Sequence, residues 1–205
     1  MNEVHVWRAQ LDRGSWPSAS RLPAGERERA AAIRRPGARE RWVAARWTLR
    51  RVLARYLAVE DPAGVELESG PNGKPALPAP APLRFNLSHT GDVALVAVSD
   101  EREVGIDVEA IEPGRDVVAL ARLGLDESAA AAVREAPAER RVAAFYDAWV
   151  RREAIAKCSG AGLAGPPPSM PVSVARLDAG PDHAAALAVV GSNPVSVRLC
   201  SLDGR

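Results

Sequence analysis

The alternation of apolar and polar positions along the chain predicts short strands separated by helices. Val4 and Val6 alternate with polar residues, and 93–98 is a continuous apolar run with the β-branching of a buried strand. Further strands are predicted over 172–177, 185–190 and 195–199. Helical spacing of apolar residues predicts helices over 26–35, 38–57, 117–123, 129–135 and 138–159, the first ending at Pro36. Each half of the chain thus holds helices and antiparallel-type strands, which indicates an α+β fold.

The segment 104–109 shows the sharpest alternation. Its apolar members would point to one face of a strand, and Asp107 and Glu109 to the other. The polar residues 99–102 predict a turn, so this strand is predicted to form a hairpin with the apolar run before it. Two carboxylates on one face can hold a hard cation from one side. Taken alone, such acidic residues are more typical of a solvated strand face.

The long helix predicted over 138–159 places a carboxylate and a cation side by side. Glu153 and Lys157 are four residues apart and therefore neighbour each other. By themselves they are an ordinary helix ion pair. Brought up to Asp107 and Glu109, they would complete a metal-assisted site for phosphoryl chemistry.

Two further segments carry candidate binding residues. Residues 71–75 predict a turn because of their Asn-Gly pair and flanking prolines, and Lys74 lies at its tip. Ser88, His89 and Thr90 precede the buried strand. Hydroxyl and imidazole groups suit an anion, although such a histidine can equally be structural.

The polar face of the 38–57 helix is rich in arginine. A stripe of this kind is usually a solvated surface, but it leaves open a non-enzymatic protein that binds nucleic acid. The net charge of +1 counts against that alternative, because it gives the protein no strong field for a particular partner. The stripe consists of Arg39, Arg41, Arg46, Arg50, Arg51 and Arg55.

Length and composition narrow the class of protein further. A chain of 205 residues can form one large domain or two small ones. The two cysteines, Cys158 and Cys200, form no disulfide framework and suit a reducing compartment. The first residues do not resemble a signal peptide, and no apolar run is long enough to span a bilayer. A cytoplasmic location with no membrane partner is therefore expected.

Three motifs together resemble a known family. Residues 85–90, 104–109 and 149–157 closely resemble the ordered signatures of the Sfp-type 4′-phosphopantetheinyl transferases, and 73–75 and 160–163 match further positions. The resemblance implies a pseudo-dimer of two similar α+β halves in one chain. The expected halves are residues 1–103 and 104–205, with coenzyme A and Mg²⁺ in the cleft between them.

The resemblance also implies roles for the acidic residues and the lysine of the long helix. Asp107, Glu109 and Glu153 would hold Mg²⁺ on the coenzyme A pyrophosphate, with Mn²⁺ as an open alternative. Glu153 would also be a candidate base for the acceptor serine. Lys157 would steady the pyrophosphate and is the candidate proton donor to the leaving 3′,5′-ADP.

The remaining candidates are predicted to bind coenzyme A. Ser88 and His89 would contact phosphates, His89 near the 3′-phosphate, and Lys74 and Arg46 would meet the nucleotide end. Arg152 stands where the family usually has lysine; it keeps the charge and could bind phosphate as a fork, but it is not a neutral replacement.

The function implied is transfer of the 4′-phosphopantetheine arm to a serine of an apo acyl or peptidyl carrier protein. Polyketide or nonribosomal peptide synthesis is the expected setting, and a monomer that binds no nucleic acid is the expected form. Two alternatives remain besides the nucleic-acid-binding protein. One is another Mg²⁺-dependent enzyme that cleaves nucleotide pyrophosphates, and the other is a transferase weakened by Arg152.

Overall fold

The computed structural model describes residues 3–12, 16–70, 73–160, 162–163, 165 and 168–202. Pro71 and Asn72 of the predicted turn, and Ala161 of the motif after the long helix, lie outside the described residues. None of the helices in the described ranges has the length and hydropathy needed to cross a membrane.

Within these ranges the chain forms nine strands and five α-helices, so the α+β prediction is confirmed. The strands are β1 Glu3–Gln10, β2 Glu68–Ser69, β3 Pro75–Ala76, β4 Arg84–Thr90, β5 Val93–Ser99, β6 Val104–Ala110, β7 Val172–Leu177, β8 His183–Val190 and β9 Ser196–Ser201. The helices are α1 Ala24–Ala32, α2 Pro36–Leu57, α3 Val117–Gly124, α4 Glu127–Glu135 and α5 Ala138–Ser159.

Local sequence signals locate most element ends, with one instructive error. Helix α5 and strand β7 have the predicted bounds. Pro36 was expected to end the first helix but instead begins α2. Proline suits this first position because its fixed φ is already helical and its missing N–H would have no intrahelical partner there.

The strands form two main sheets. In the first sheet the order is β4-β5-β1-β9, and in the second it is β6-β8-β7. A separate two-stranded hairpin pairs β2 with β3. The predicted hairpin of β5 with β6 is wrong: β5 already has β4 and β1 on its two edges, so β6 enters the other sheet and pairs with β8. The hairpin in this region is β4–β5, closed by Gly91 with φ +49°.

The last strand does not lie with the other strands of the second half. Although it belongs to residues 104–205, β9 pairs in parallel with β1 at the edge of the first sheet. Val4 lies opposite Val197 in this pairing. Parallel strands need long connections, so no local turn signal announces such a partner.

The two sheets pack face to face, with a long helix on each outer side. Apolar residues of β1 and β5 meet those of β6 and β8 in a core between the sheets. Helix α2 covers the other face of the first sheet, and α5 covers the other face of the second. The layers are therefore α2, first sheet, second sheet and α5.

Candidate active site

The site forms where the edge strands β4 and β6 face each other. Alternate side chains of β4 accept hydrogen bonds from backbone N–H groups of β6. These N–H groups lie on the edge of β6 that faces away from its partner strand β8. The bonds join Ile106 N to Asn86 Oδ1 (2.9 Å), Val108 N to Ser88 Oγ (3.4 Å) and Ala110 N to Thr90 Oγ1 (3.4 Å). Buried backbone groups need such partners, and here polar side chains supply them across two sheets.

The predicted alternation along β6 places the acidic residues as expected. Val104, Ile106 and Val108 lie in the core between the sheets. Gly105 and Asp107 face α5 instead. A Cβ atom on Gly105 would overlap the carbonyl oxygen of Ala154 and lie 2.8 Å from the Cα of Cys158. The missing side chain therefore lets α5 lie directly on β6, which brings Lys157 to Asp107.

Asp107, Lys157 and Ser88 form a mutually bonded cluster. The Nζ of Lys157 lies 2.6 Å from Asp107 Oδ1 and 3.1 Å from Ser88 Oγ. The Ser88 hydroxyl donates to Asp107 Oδ1 at 2.9 Å. Asp107 is only 2% exposed, and its Oδ2 is buried with no hydrogen-bond partner among the described residues. A buried carboxylate oxygen that has no hydrogen-bond partner is a candidate atom for binding a ligand.

The charges of Asp107 and Lys157 also act on the other two predicted acidic residues, Glu109 and Glu153. Burial, and next the charge of Asp107, raise the pKa of Glu109. Burial and Asp107 likewise raise the pKa of Glu153, and Lys157 opposes the rise in both. Three carboxylates thus share the neighbourhood of one ammonium group. In the described part of the chain, no three or more His, Cys, Asp and Glu side chains are gathered closely enough to hold a metal ion as they stand.

His89 lies next to Ser88 on β4 and is partly buried. Burial, and then the nearby charge of Lys157, lower the pKa of His89 below its ordinary value of 6.5. The ring is therefore neutral at pH 7 in the absence of an anion. A bound phosphate would favour its protonation.

A cleft of about 290 Å³ adjoins this cluster. Its walls are the turn 73–75, β4 at Asn86, and the end of α5 with Glu153 and Lys157. A larger cavity of about 630 Å³ lies at the start of α2 beside Trp16, but none of the acidic cluster lines it. The smaller cleft is therefore the candidate active site, because Glu153 and Lys157 line it.

Lys74 lies at this cleft, but its ammonium group contacts protein atoms. The Nζ donates to the carbonyl oxygens of Lys157 (3.0 Å) and Val104 (3.3 Å) and lies 3.5 Å from Glu103 Oε2. These acceptors lie at the end of α5 and the start of β6, and the predicted contact of Lys74 with a nucleotide stays a prediction.

The structure places Arg46 in an ion pair rather than at the cleft. Its guanidinium donates to Glu26, as does that of the buried Arg50. The pKa of Arg46 is lowered, chiefly by burial and also by the charges of Arg50 and Arg29, while Glu26 opposes the shift. Sequence reasoning missed this pair because Glu26 lies 20 residues away on α1. Arg29, by contrast, lies against Gly73 of the turn that borders the cleft.

Arg152 also contacts backbone. Its Nη1 donates to the carbonyl oxygen of Gly124, and its Nη2 to that of Leu163 at 3.2 Å. Both ends of the guanidinium fork are therefore used to join the end of α3 to the segment after α5. This placement of Arg152 does not favour a contact between its guanidinium group and a phosphate.

Asn86 and Gly105 were not predicted to matter for the site. Asn86, Ser88 and Thr90 recur with the period of a strand, and this polar alternation could have revealed that β4 presents one face to a buried partner. Gly105 had no local signal, because its role depends on how closely α5 approaches.

Comparison with known proteins agrees with these motifs. The family model of the 4′-phosphopantetheinyl transferase superfamily matches residues 103–197. The 4′-phosphopantetheinyl transferase HetI of Nostoc sp. is 36% identical over 169 residues, which cover 80% of this chain and 71% of HetI. AcpT of Escherichia coli K12, also named a 4′-phosphopantetheinyl transferase, is 36% identical over 155 residues, 76% of this chain and 74% of AcpT.

A more distant relative, the 4′-phosphopantetheinyl transferase of Bacillus subtilis, is 31% identical over 106 residues, 52% of this chain and 46% of that protein. The matches to HetI and AcpT span most of both proteins, and the residues matched by the family model include the strand and helix that carry the acidic cluster. The chain therefore belongs to the 4′-phosphopantetheinyl transferase superfamily and is an enzyme of that family.

Proposed function

We propose that this enzyme transfers 4′-phosphopantetheine from coenzyme A to a serine of an apo acyl or peptidyl carrier protein. The serine oxygen attacks the β-phosphorus of coenzyme A, the bond from that phosphorus to the bridging oxygen breaks, and 3′,5′-ADP leaves. The observation that carries the proposal is the Asp107–Lys157–Ser88 cluster, with Glu153 beside it at the wall of the cleft.

The cleft is proposed to lie between two similar α+β halves. Each half would consist of a sheet with a 22-residue helix on its outer face, α2 in one and α5 in the other. The division near residue 103 is supported by the passage of the chain from the first sheet to the second between β5 and β6. Strand β9 would then cross back to the first half.

Asp107, Glu109 and Glu153 are proposed to hold Mg²⁺. The residues fit such an ion: all three offer oxygen ligands, Asp107 Oδ2 is buried with no hydrogen-bond partner in the described ranges, and the two glutamates have raised pKa values. When bound, the ion would neutralise charge on the pyrophosphate. The three acids would close around it from the positions that they occupy near Lys157.

Glu153 and Lys157 are proposed to handle the proton and the leaving group. Glu153 is half-buried at the cleft wall, so its carboxylate can accept the proton of the serine hydroxyl, directly or through water. The ammonium group of Lys157 can steady the pyrophosphate and donate a proton to the departing oxygen. Ser88 is assigned to orienting Asp107 and Lys157, because its hydroxyl contacts both.

His89 and Arg29 are proposed to bind the nucleotide end. His89 can become protonated on meeting a phosphate, and Arg29 is the cation that lies against the turn bordering the cleft. Arg29 takes the place that sequence reasoning gave to Arg46. The carrier domains of polyketide and nonribosomal peptide synthesis are the acceptors to test first, with the enzyme acting as a monomer.

Intact-mass spectrometry of an apo carrier protein tests the proposal. The carrier is incubated with the enzyme, coenzyme A and Mg²⁺, beside a sample with EDTA and a Glu153→Ala variant. We expect one phosphopantetheine arm to be added, and the addition to be lost in both controls. A Glu112→Ala variant, which removes an exposed acid outside the cluster, should keep the activity.

The possible failures separate the alternatives. Cleavage of coenzyme A without any gain in carrier mass would indicate a pyrophosphate-cleaving enzyme. Neither cleavage nor binding of coenzyme A would reject the proposal.

A further inference from the structure

The chain uses lysine at only two positions. Of its 27 lysine and arginine residues, only Lys74 and Lys157 are lysines. They are 83 residues apart, yet the Nζ of Lys74 donates to the backbone oxygen of Lys157 at 3.0 Å. An ammonium is a compact charge with three rotatable donors, whereas a guanidinium is a planar fork, so arginine cannot replace it where acceptors converge.

The acceptors around Lys74 use its full donor capacity. They are the carbonyl oxygens of Lys157 and Val104 and, at 3.5 Å, the carboxylate of Glu103. The side chain is 21% exposed. An ammonium group has three N–H donors, and three protein acceptors meet it here. The two shorter contacts, to the carbonyls of Lys157 and Val104, direct the ammonium group toward α5 and β6.

The two carbonyls belong to the two elements that form the acidic cluster. Lys157 lies in the last turn of α5, where carbonyl groups lack intrahelical partners and where a cation is favourable. Val104 is the first residue of β6, three residues before Asp107. Lys74 therefore ties the end of α5 to the start of β6.

The β2–β3 hairpin holds Lys74 in place. The carbonyl of Lys74 accepts a hydrogen bond from Gly70 N at 2.8 Å, and Pro75 pairs with Ser69. Gly73 adopts φ +74°, and the guanidinium of Arg29 lies where its Cβ would be. The backbone around the lysine is thus anchored independently of α5.

We propose that Lys74 is a positioning residue. Its ammonium group fixes the last turn of α5 against β6 and so holds Lys157 on Asp107, and it does not bind the nucleotide itself. Losing this tie would free the turn that carries Lys157 while leaving the catalytic side chains intact.

Hydrogen–deuterium exchange tests the tie without any assay of activity. Peptides covering 154–160 are compared in the wild type, in Lys74→Met and in Arg84→Met. Arg84 is the matched control, because its guanidinium pairs with the same Glu103 (2.8 Å) and bonds no carbonyl of α5. We expect exchange in the last turn of α5 to rise about tenfold in Lys74→Met and less than about twofold in Arg84→Met.

Unchanged exchange in Lys74→Met would overturn the proposal. If that variant does not fold, Lys74→Gln serves instead, since its amide can keep one of the two carbonyl bonds. It should show a smaller rise in exchange at the same turn, and no rise would again overturn the proposal.

Kinetics separate positioning from nucleotide binding. This arm rests on the proposed function, whereas the exchange measurement does not, so failure of one is distinguishable from failure of the other. With coenzyme A and with dephospho-coenzyme A, which lacks the 3′-phosphate, Lys74→Met should lower kcat about tenfold. In a Lys157→Met background the same substitution should have little further effect, because both act through one group. A rise confined to the KM for coenzyme A would overturn the proposal.

Discussion

Helices α2 and α5 have the same length and the same place in the layers, but they use buried charge in opposite ways. On α2, Arg46 and Arg50 meet Glu26, and Arg50 also donates to the carbonyls of residues 62, 63 and 65. On α5, the single ammonium of Lys157 faces three carboxylates, on Asp107, Glu109 and Glu153. In the first cluster two guanidinium groups share one carboxylate. In the second, three carboxylates lie near Lys157, and the charges of Arg115 and Arg152 also act on Glu109 and Glu153.

The difference between the two clusters separates buried charges that stabilise the fold from buried charges that are suited to bind a ligand. In the first cluster, backbone oxygens of residues 62, 63 and 65 supplement the single carboxylate as acceptors for Arg50. In the acidic cluster, Asp107 Oδ2 has no hydrogen-bond partner within the described part of the chain, and burial together with the charge of Asp107 raises the pKa of two glutamates. Charged groups that the fold leaves unsatisfied are typical of functional sites.

The sharpest test of the comparison is Asp107→Asn. Removing this charge should lower the rate of carrier modification about a thousandfold, because the acid is central to the proposed electrostatics of the transfer. The free energy of unfolding should change by less than about 1 kcal/mol, because the lost attraction between Asp107 and Lys157 is offset by relief of the repulsion between Asp107 and the carboxylates of Glu109 and Glu153. Rates from intact-mass spectrometry and urea unfolding check both expectations. Asp147→Asn, at a more exposed position on α5, should alter neither, and an Asp107→Asn enzyme of normal rate would contradict the assignment.

Glu26→Gln should give the opposite result. It leaves two buried guanidinium groups without their counter-charge, which should lower the free energy of unfolding by about 3 to 5 kcal/mol. The protein that remains folded should keep its kcat. Urea unfolding measures the loss, with Glu40→Gln on the exposed side of α2 as the control. A loss in kcat at unchanged stability would place Glu26 in the active site and end the contrast.

Gly105→Ala tests the contact that joins α5 to β6. The new methyl group would overlap the backbone of Ala154, so the helix must shift and the free energy of unfolding should fall by about 3 kcal/mol. Carrier modification should fall as well, because the shift moves Lys157 from Asp107. Gly114→Ala is the matched control, since a Cβ there meets nothing within 4 Å. Equal free energies of unfolding for the two variants would show that α5 can shift away from β6 without loss of stability.

The smallest expected effect concerns His89. Burial and Lys157 hold its pKa below 6.5 in the free enzyme, and a bound phosphate should raise it. Proton uptake on binding means that affinity increases as the pH falls. The KM for coenzyme A should therefore drop about fivefold from pH 8 to pH 6 in the wild type. The drop should be smaller in His89→Gln, and identical pH profiles would remove His89 from the nucleotide site.

Much of the site was predictable because its residues are set by short periods. Alternation along β6 put Asp107 on the face opposite Ile106, and helical spacing put Glu153 beside Lys157. The bounds of α5 followed from the apolar positions on one side and the glycine at 160. These features depend on neighbours within a few residues, and the chain's own geometry determines them.

Other roles could not be predicted, because partners distant in sequence decide them. Arg46, Lys74 and Arg152 were all expected at the coenzyme A site because the family resemblance implied it. Their acceptors lie 20, 83 and 28 residues away, on Glu26, Lys157 and Gly124. The local sequence around a cationic residue indicates which kinds of group it can bind, but it does not indicate which acceptor lies next to it in the folded protein.

The sequence by itself determined the α+β class, the order of most elements, and the positions of Asp107 on β6 and of Glu153 and Lys157 on α5. Only the tertiary structure decided that β6 pairs with β8 rather than β5, that β9 pairs with β1, and that Arg46 and Arg50 donate to Glu26. Periodicity is a property of adjacent residues, so it is legible along the chain. Sheet partners and charge pairs depend on which edges and acceptors remain free once the layers have packed, and that competition exists only in the folded protein.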